Sequence, residues 1–116
     1  MEKGFYALVV NGNKTDYKVF MADTWFKRLM GWMFRPAPLN EGLLLAPCNS
    51  VHTFFMRFYI DLIFLDNKGC VVRLMKNIAP YNIILPVKNA NQTLEFPANS
   101  IETLSIAVDD IFEFTL

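Results

Sequence analysis

The N-terminal part of the chain has the pattern of a β-hairpin. Residues 5–10 are apolar and rich in β-forming side chains, and Asn11-Gly12 supplies a two-residue turn. Beyond the turn, apolar side chains alternate with polar ones at Tyr17, Val19 and Met21. We therefore predict two antiparallel strands at this end of the chain.

Apolar residues spaced by three and four positions follow the hairpin and predict one short helix. Asp23 and Thr24 supply N-cap oxygens, and the apolar face extends from about Trp25 to Trp32. Pro36 and Pro38 end the helix and impose an extended segment.

Short apolar runs separated by turn residues predict further strands after Gly42. The run 43–46 is too short for a helix, and strands are expected at 51–55, 59–65, 70–74, 93–96 and 111–116, the last closing the sheet. The turn from Asp66 to Gly69 makes a second hairpin. Residues 77–86 are predicted to be an irregular connection because two prolines interrupt them. Residues 98–104 are predicted to be a helical turn capped by Asn99 or Ser100.

Composition assigns these elements to a fold class. The chain has 116 residues, of which 53% are hydrophobic and 19% charged, and 11 are Phe. The apolar fraction is enough for one sizeable core, and the chain is too short for two. We predict a single domain over residues 1–116 of mainly β (α+β) class: a compact β-barrel-like domain with one short helix packed on it and a second helical turn near the C-terminus.

Charge and motifs exclude several classes of function. The chain has 11 basic residues (Lys and Arg) and 11 acidic ones (Asp and Glu), so its formal net charge is zero. No stretch is rich in basic side chains, and nucleic acid is therefore not an expected partner. The chain has no glycine-rich phosphate-binding motif, and no cofactor is expected. It also lacks the long apolar segment of a signal peptide or membrane span, so we predict a cytoplasmic protein whose two cysteines, Cys48 and Cys70, are reduced.

A series of short motifs covers nearly the whole chain: Ala22-Asp23-Thr24, Arg28, Gly31 to Arg35, Gly42 to Leu45, Pro47-Cys48, Ser50, His52-Thr53, Met56 to Phe58 and Ile60 to Asp66. Together these motifs resemble domain-of-unknown-function family 192, also called uncharacterised protein family 0127, in the branch with a Pro-Cys-x-Ser-x-His-Thr segment. Trp32 stands where the family usually has Leu and Tyr59 where this branch often has Pro, which would alter a local pocket and not the fold. The resemblance implies a compact β-barrel-like domain with a helix across it, and it implies no established activity.

Cys48 and His52 are the candidates for covalent chemistry. They lie four residues apart at the entry to a predicted strand, close enough for the imidazole to activate the thiol, with Asp61 orienting the imidazole. The alternative is a buried apolar cysteine beside a histidine that hydrogen-bonds to the backbone. A metal site is not expected, because structural zinc takes four N or S ligands and the chain has one His and two Cys.

Arg35, His52, Arg57 and Asp61 are the candidates for ligand binding. In a regular strand Arg57 and Asp61 project from one face and could form an ion pair. Arg35 follows the predicted helix, where its charge complements the helix dipole. One interpretation is structural, with Asp61 tying its strand to a loop through Arg35 or Arg57. The other is a polar cleft at the barrel mouth that binds an anionic or carboxylate-bearing ligand.

Three functions are compatible with these residues, and whether the chain is an enzyme stays open. The first, which assumes least, is a binding module whose cleft near Arg35, His52, Arg57 and Asp61 takes a small polar molecule or a peptide end. The second is a hydrolase or transferase with Cys48 as nucleophile and His52 as base. The third is a structural or assembly module, for instance a homodimer formed through Trp25 and Phe26, since adjacent helix positions cannot both face one core.

Overall fold

The computed structural model describes residues 5–22, 40–53 and 56–116. The predicted helix from Trp25 to Trp32, together with Arg35 and the segment Phe54-Phe55, lies outside these ranges. The strands are β1 Phe5–Val10, β2 Asn13–Ala22, β3 Glu41–Leu45, β4 Val51–His52, β5 Ile60–Leu65, β6 Val71–Ile78, β7 Ile83–Ile84, β8 Gln92–Pro97 and β9 Phe112–Thr115, and the helix α1 spans Ser100–Thr103.

Seven strands form the main sheet in the order β6-β5-β8-β3-β2-β1-β9. Strands β2 and β3 pair in parallel, and the other neighbours pair antiparallel. The two edges of the sheet meet at one corner, where Cys70 and Ile111 form an isolated bridge and the Phe112 amide donates to the Gly69 carbonyl at 2.8 Å. The sheet is therefore curled into a half-barrel, which confirms the mainly β, barrel-like prediction.

Both predicted hairpins are present, and each turn has a local cause. Asn11 and Gly12 have φ angles of 50° and 82°, the pair of left-handed residues that a two-residue hairpin turn of the primed type requires. In the second turn, the Asp66 carboxylate accepts hydrogen bonds from the Lys68 and Cys70 amides, both at 2.9 Å. The strands on either side pair as β5 and β6.

The main sheet is apolar on both faces, and each face carries a separate core. The first core contains mainly the buried residues Leu8, Tyr17, Val19, Leu44, Ile63, Leu65, Val71, Leu94, Phe96, Ile101, Ile106 and Phe112. The second core contains Leu43, Leu45, Met56, Ile60, Leu62, Phe64 and Val87. Because successive side chains of a strand point to opposite faces, β3 and β5 supply residues to both cores, which explains the continuous apolar runs Leu43–Leu45 and Leu62–Leu65.

A small second sheet, β4 paired antiparallel with β7, covers the second core. Val51 and Ile84 pack against that core, while their neighbours His52 and Ile83 are exposed. The sheet is anchored by Thr53, whose hydroxyl donates to the Ala79 carbonyl at 2.8 Å. The strand predicted at 51–55 is thus described only over two residues, and the segment predicted as an irregular connection contains β7.

Helix α1 is where the helical turn was predicted, but the capping hydrogen bond is not made by the predicted side chains. Asn99 occupies the N-cap position with a left-handed φ of 78° and makes no side-chain capping bond, and the Ser100 hydroxyl donates to the Pro97 carbonyl at 2.7 Å. The acceptor for the Ile101 amide is Asp61 on β5, at 2.9 Å. Asn99 is therefore the N-cap residue, as one of the two predicted alternatives had it, but the side-chain acceptor for the first turn is a carboxylate distant in sequence. None of the described helical residues forms a helix long and apolar enough to cross a membrane.

Candidate functional site

Asp61 is a buried residue whose side chain connects three elements of secondary structure. Its side chain is only 1% exposed, and its two oxygens accept hydrogen bonds from the amides of Asn77 and Ile101, each at 2.9 Å. One carboxylate therefore holds β5 to the end of β6 and to the start of α1. The structural interpretation expected Asp61 to tie its strand to a loop through Arg35 or Arg57; the hydrogen bonds that the structure describes come from backbone amides instead.

Arg57 lies in the loop before β5, which begins at Ile60, and it is exposed. Within the described ranges no ion pair joins Arg57 to Asp61. The two residues do not share a regular strand, so the even spacing between them does not place them on one face of the sheet. Of the four predicted ligand-binding residues, His52 and Arg57 are the exposed ones that the structure describes.

Cys48 is fixed to its surroundings by three hydrogen bonds. Its thiol donates to the Ser50 carbonyl at 3.0 Å, its amide donates to the Asn91 carbonyl at 2.8 Å, and its carbonyl accepts the Thr93 hydroxyl at 3.0 Å. The side chain is half-buried and contacts the second core. It lines a surface depression of about 300 Å³ formed by residues 47–50 and 90–91.

His52 is exposed on β4 and lies directly opposite Ile83 of β7. It lines a second depression of about 340 Å³, whose wall is mainly apolar and contains residues 50–52 and 83–86. Ile83 and Leu85 in that wall are 64% and 75% exposed. Cys48 and His52 thus line neighbouring depressions that meet at Ser50, and no hydrogen bond joins the Cys48 thiol to the imidazole.

The second cysteine, Cys70, is a poor nucleophile. Burial raises the pKa of its thiol, and the negative charges of Asp66, Asp109 and Asp110 raise it further. A thiol that stays protonated at neutral pH reacts slowly, since the thiolate is the reactive species. Among the residues placed by the structure, no group of three or more His, Cys, Asp or Glu side chains is arranged to hold a metal ion.

Glu95 is the unusual titratable group that the sequence analysis missed. It lies in the middle of β8 with Leu43 of β3 on one side and Leu62 of β5 on the other. Its side chain is 6% exposed, and burial raises its pKa to about 8. The sequence signal was weak, because a Glu in an alternating strand ordinarily faces water. Glu95 is buried here because its cross-strand neighbours on that face are the buried residues Leu43 and Leu62.

Comparison with known proteins places this arrangement in a family. The model of DUF192, described as an uncharacterised ACR, matches residues 7–114. A UPF0127 protein of Pyrococcus furiosus is 35% identical over 111 residues, which cover 91% of this chain and 94% of the relative. A UPF0127 protein of Pyrococcus abyssi is 31% identical over 115 residues, which cover 92% of this chain and 97% of the relative.

Two solved structures have the same fold as this chain. A proposed transcription regulator from Sinorhizobium meliloti superposes with a TM-score of 0.81 at 18% identity, covering 95% of this chain and 92% of that one. A protein of unknown function from Novosphingobium aromaticivorans superposes with a TM-score of 0.80 at 22% identity, covering 92% and 83%. At these identities the likeness shows the fold alone. The family match and the two archaeal relatives show that the chain belongs to the DUF192 family.

Proposed function

We propose that this DUF192 chain is a binding module that takes a small carboxylate-bearing molecule or a peptide end at the outer surface of the β4–β7 sheet. The observation that supports it is the depression at His52, where one imidazole stands beside the exposed apolar side chains of Ile83 and Leu85. Ligand sites are commonly apolar surfaces with a few polar groups that orient the ligand.

Arginine is the cation that we assign to the proposed site, from outside the depression, because the described residues of its wall include no arginine. Arg57 is exposed in the loop that leads into β5, and Arg35 is proposed as a second guanidinium from the segment outside the described residues. A guanidinium binds a carboxylate with two parallel hydrogen bonds, which is why arginine suits this ligand class. Asp61 enters the proposal as support for β5, because both of its oxygens already accept backbone hydrogen bonds.

Catalysis by Cys48 is the competing proposal, and the local contacts favour it less. A nucleophilic thiol needs its base within hydrogen-bonding distance. The Cys48 thiol instead donates to the Ser50 carbonyl, and Cys48 and His52 line different depressions. Asp61, the proposed orienting group, is occupied by two amides. Binding requires none of these contacts to rearrange.

A titration with capped dipeptides tests the binding proposal. N-acetylated dipeptides with a free C-terminal carboxylate should shift the backbone resonances of β4 and β7 in NMR spectra, and the corresponding C-terminal amides should not. His52→Ala and Arg57→Ala should each weaken binding about tenfold, as expected for one lost charge-assisted contact. Lys14→Ala, an exposed cation on β2, is the matched control and should bind normally. Equal binding by the His52 variant would refute the proposal.

The same titration separates binding from cysteine catalysis. Cys48→Ser removes the nucleophile and leaves a side chain that can still donate to the Ser50 carbonyl. We expect this variant to bind the dipeptides as the native chain does. Turnover of an activated ester by the native chain that disappears in Cys48→Ser would favour the hydrolase instead.

A further inference from the structure

The turn of the first hairpin is joined to the segment before β9 by three hydrogen bonds of one residue, Asn11. Its backbone amide donates to the Ile111 carbonyl, and its side-chain oxygen accepts from the Ile111 amide, both at 2.8 Å. Its side-chain nitrogen donates to the Asp110 carboxylate at 3.0 Å. Asn11 therefore uses both polar atoms of its side chain to hold the two segments together.

The segment 109–111 is in turn bonded to the start of β6. The Val71 amide donates to the Asp110 carbonyl, and the Asp109 amide donates to the Val71 carbonyl, both at 2.9 Å. Strands β6 and β9 are the two edges of the main sheet. Asn11 thus binds the segment through which these two edges meet.

The residue that follows Asn11 makes its side chain chemically labile. Asn11-Gly12 is the one Asn-Gly pair in the sequence. Glycine has no β-carbon to hinder its backbone nitrogen, so the Gly12 nitrogen is free to attack the side-chain carbonyl carbon of Asn11. The attack forms a cyclic imide, and the side-chain nitrogen leaves as ammonia together with the Gly12 amide proton. Water then opens the ring to give aspartate or isoaspartate.

We propose that Asn11 is a deamidation site, and that its conversion to an acid opens the corner between the first hairpin and the segment before β9. The reaction exchanges the nitrogen that donates to Asp110 for an oxygen that has no proton to donate. Two carboxylates then face each other at the distance of a hydrogen bond, and like charges repel. Asn11 is exposed, so water and solvent base reach it.

The hydrogen bonds at Asn11 also control when the reaction occurs. The carbonyl carbon lies between two atoms that Asp110 and Ile111 hold, and the side chain must leave these partners to meet the Gly12 nitrogen. Deamidation is therefore slower in the folded chain than in the unfolded one, and it is one-way, since the acid does not recover its amide in water. The site shares no residue with the depression at His52, and neither proposal depends on the other.

Hydrogen exchange of Asn11→Asp tests the structural consequence. At pH 7 the Ile111 amide should exchange about tenfold faster than in the native chain, as expected for the loss of one charge-assisted hydrogen bond. Asn13→Asp, the same change at an exposed position on β2, is the matched control and should leave this rate unchanged.

A double variant separates charge repulsion from general damage to the turn. In Asn11→Asp/Asp110→Asn the donor and the acceptor are exchanged, so an amide nitrogen at position 110 again donates to an oxygen at position 11. The remaining amide oxygen at position 110 still accepts from the Ala107 amide, which now donates to the Asp110 carboxylate at 2.8 Å. Exchange at Ile111 should return to within about twofold of the native rate.

Mass spectrometry of the native chain incubated at pH 8 tests the reaction itself. Fragmentation distinguishes Asn11 from Asn13, which lie in one tryptic peptide. Asn11 should gain the mass of an amide-to-acid exchange before any other asparagine, and faster in urea than in the folded chain. Earlier deamidation at another asparagine in the folded chain, an unchanged Ile111 rate in Asn11→Asp, or a double variant that exchanges as fast as Asn11→Asp would each overturn the proposal.

Discussion

At the scale of single residues, two buried carboxyls on adjacent strands have different surroundings. Asp61 is fully hydrogen-bonded by backbone amides and stabilises the fold. Glu95, on the other face of the sheet, has apolar cross-strand neighbours and an elevated pKa. Burial alone therefore does not fix the protonation state of an acid; the groups around it do.

Glu95 should make the stability of the chain fall as pH rises. The unfolded chain loses the Glu95 proton near the ordinary value of 4.5, whereas the folded chain keeps it until about pH 8. Between these values the folded state binds more protons, so the free energy of unfolding declines with pH and then levels off. Glu95→Gln should remove this decline, with a difference at pH 9 of at most about 4 to 5 kcal/mol.

Urea unfolding of the native and Glu95→Gln chains at pH 5, 7 and 9 measures the effect. The advantage of the variant should be small at pH 5 and largest at pH 9. An advantage that is the same at all three pH values would show that Glu95 does not titrate in this range.

The Cys70 thiol should resist alkylation in the folded chain. Burial and three nearby carboxylates raise its pKa, which lowers the fraction of thiolate at neutral pH. In Cys48→Ser, where Cys70 is the single remaining thiol, iodoacetamide should react slowly at pH 7 and much faster in urea. Labelling of the folded variant as fast as that of the unfolded one would contradict the assignment.

At the scale of elements, β5 holds its neighbours by side chain as well as by backbone. Asp61 supplies the acceptor for the first turn of α1, which lacks a local cap, and for the amide of Asn77, which has a left-handed φ of 58° at the end of β6. The helix of four residues is too short to be stable alone. The position of α1 is therefore fixed by its hydrogen bond to the main sheet.

Asp61→Ala should destabilise the chain by about 3 kcal/mol, because it leaves one buried and one partly buried amide without an acceptor. Hydrogen exchange should accelerate at Ile101 and Asn77 before it does so in β8. Asp16→Ala, at an exposed aspartate on β2, is the matched control and should have a much smaller effect. Unchanged exchange at Ile101 in Asp61→Ala would show that the amide does not depend on this carboxylate.

At the scale of the whole molecule, the described residues pack around one curled sheet that has a hydrophobic core on each face. The first core needs close packing across the sheet, and Gly42 on β3 provides the space for it, because the Phe96 ring of β8 lies where a β-carbon would stand. The second core is closed by loops and by the small β4–β7 sheet, whose outer surface carries the proposed binding depression.

Gly42→Ala should destabilise the chain by roughly 1 to 3 kcal/mol, since the added methyl group must displace the Phe96 ring. Glu41→Ala, at the preceding half-buried position, should cost less. Urea unfolding gives both values, and the near-ultraviolet circular dichroism of the Tyr17–Phe96 ring pair should change only in Gly42→Ala. A fully stable Gly42→Ala chain would mean that the ring is free to move aside.

The sequence by itself determined the features that depend on neighbours along the chain. Alternation and turn residues located both hairpins, the last strands and α1, and the motifs identified the family. Tertiary structure decided which distant residues meet: Asp61 with the Ile101 amide, β2 in parallel with β3, and Glu95 between two leucines. The physical reason is that hydrogen-bond partners and burial on both faces are set by strand order, which local patterns do not specify.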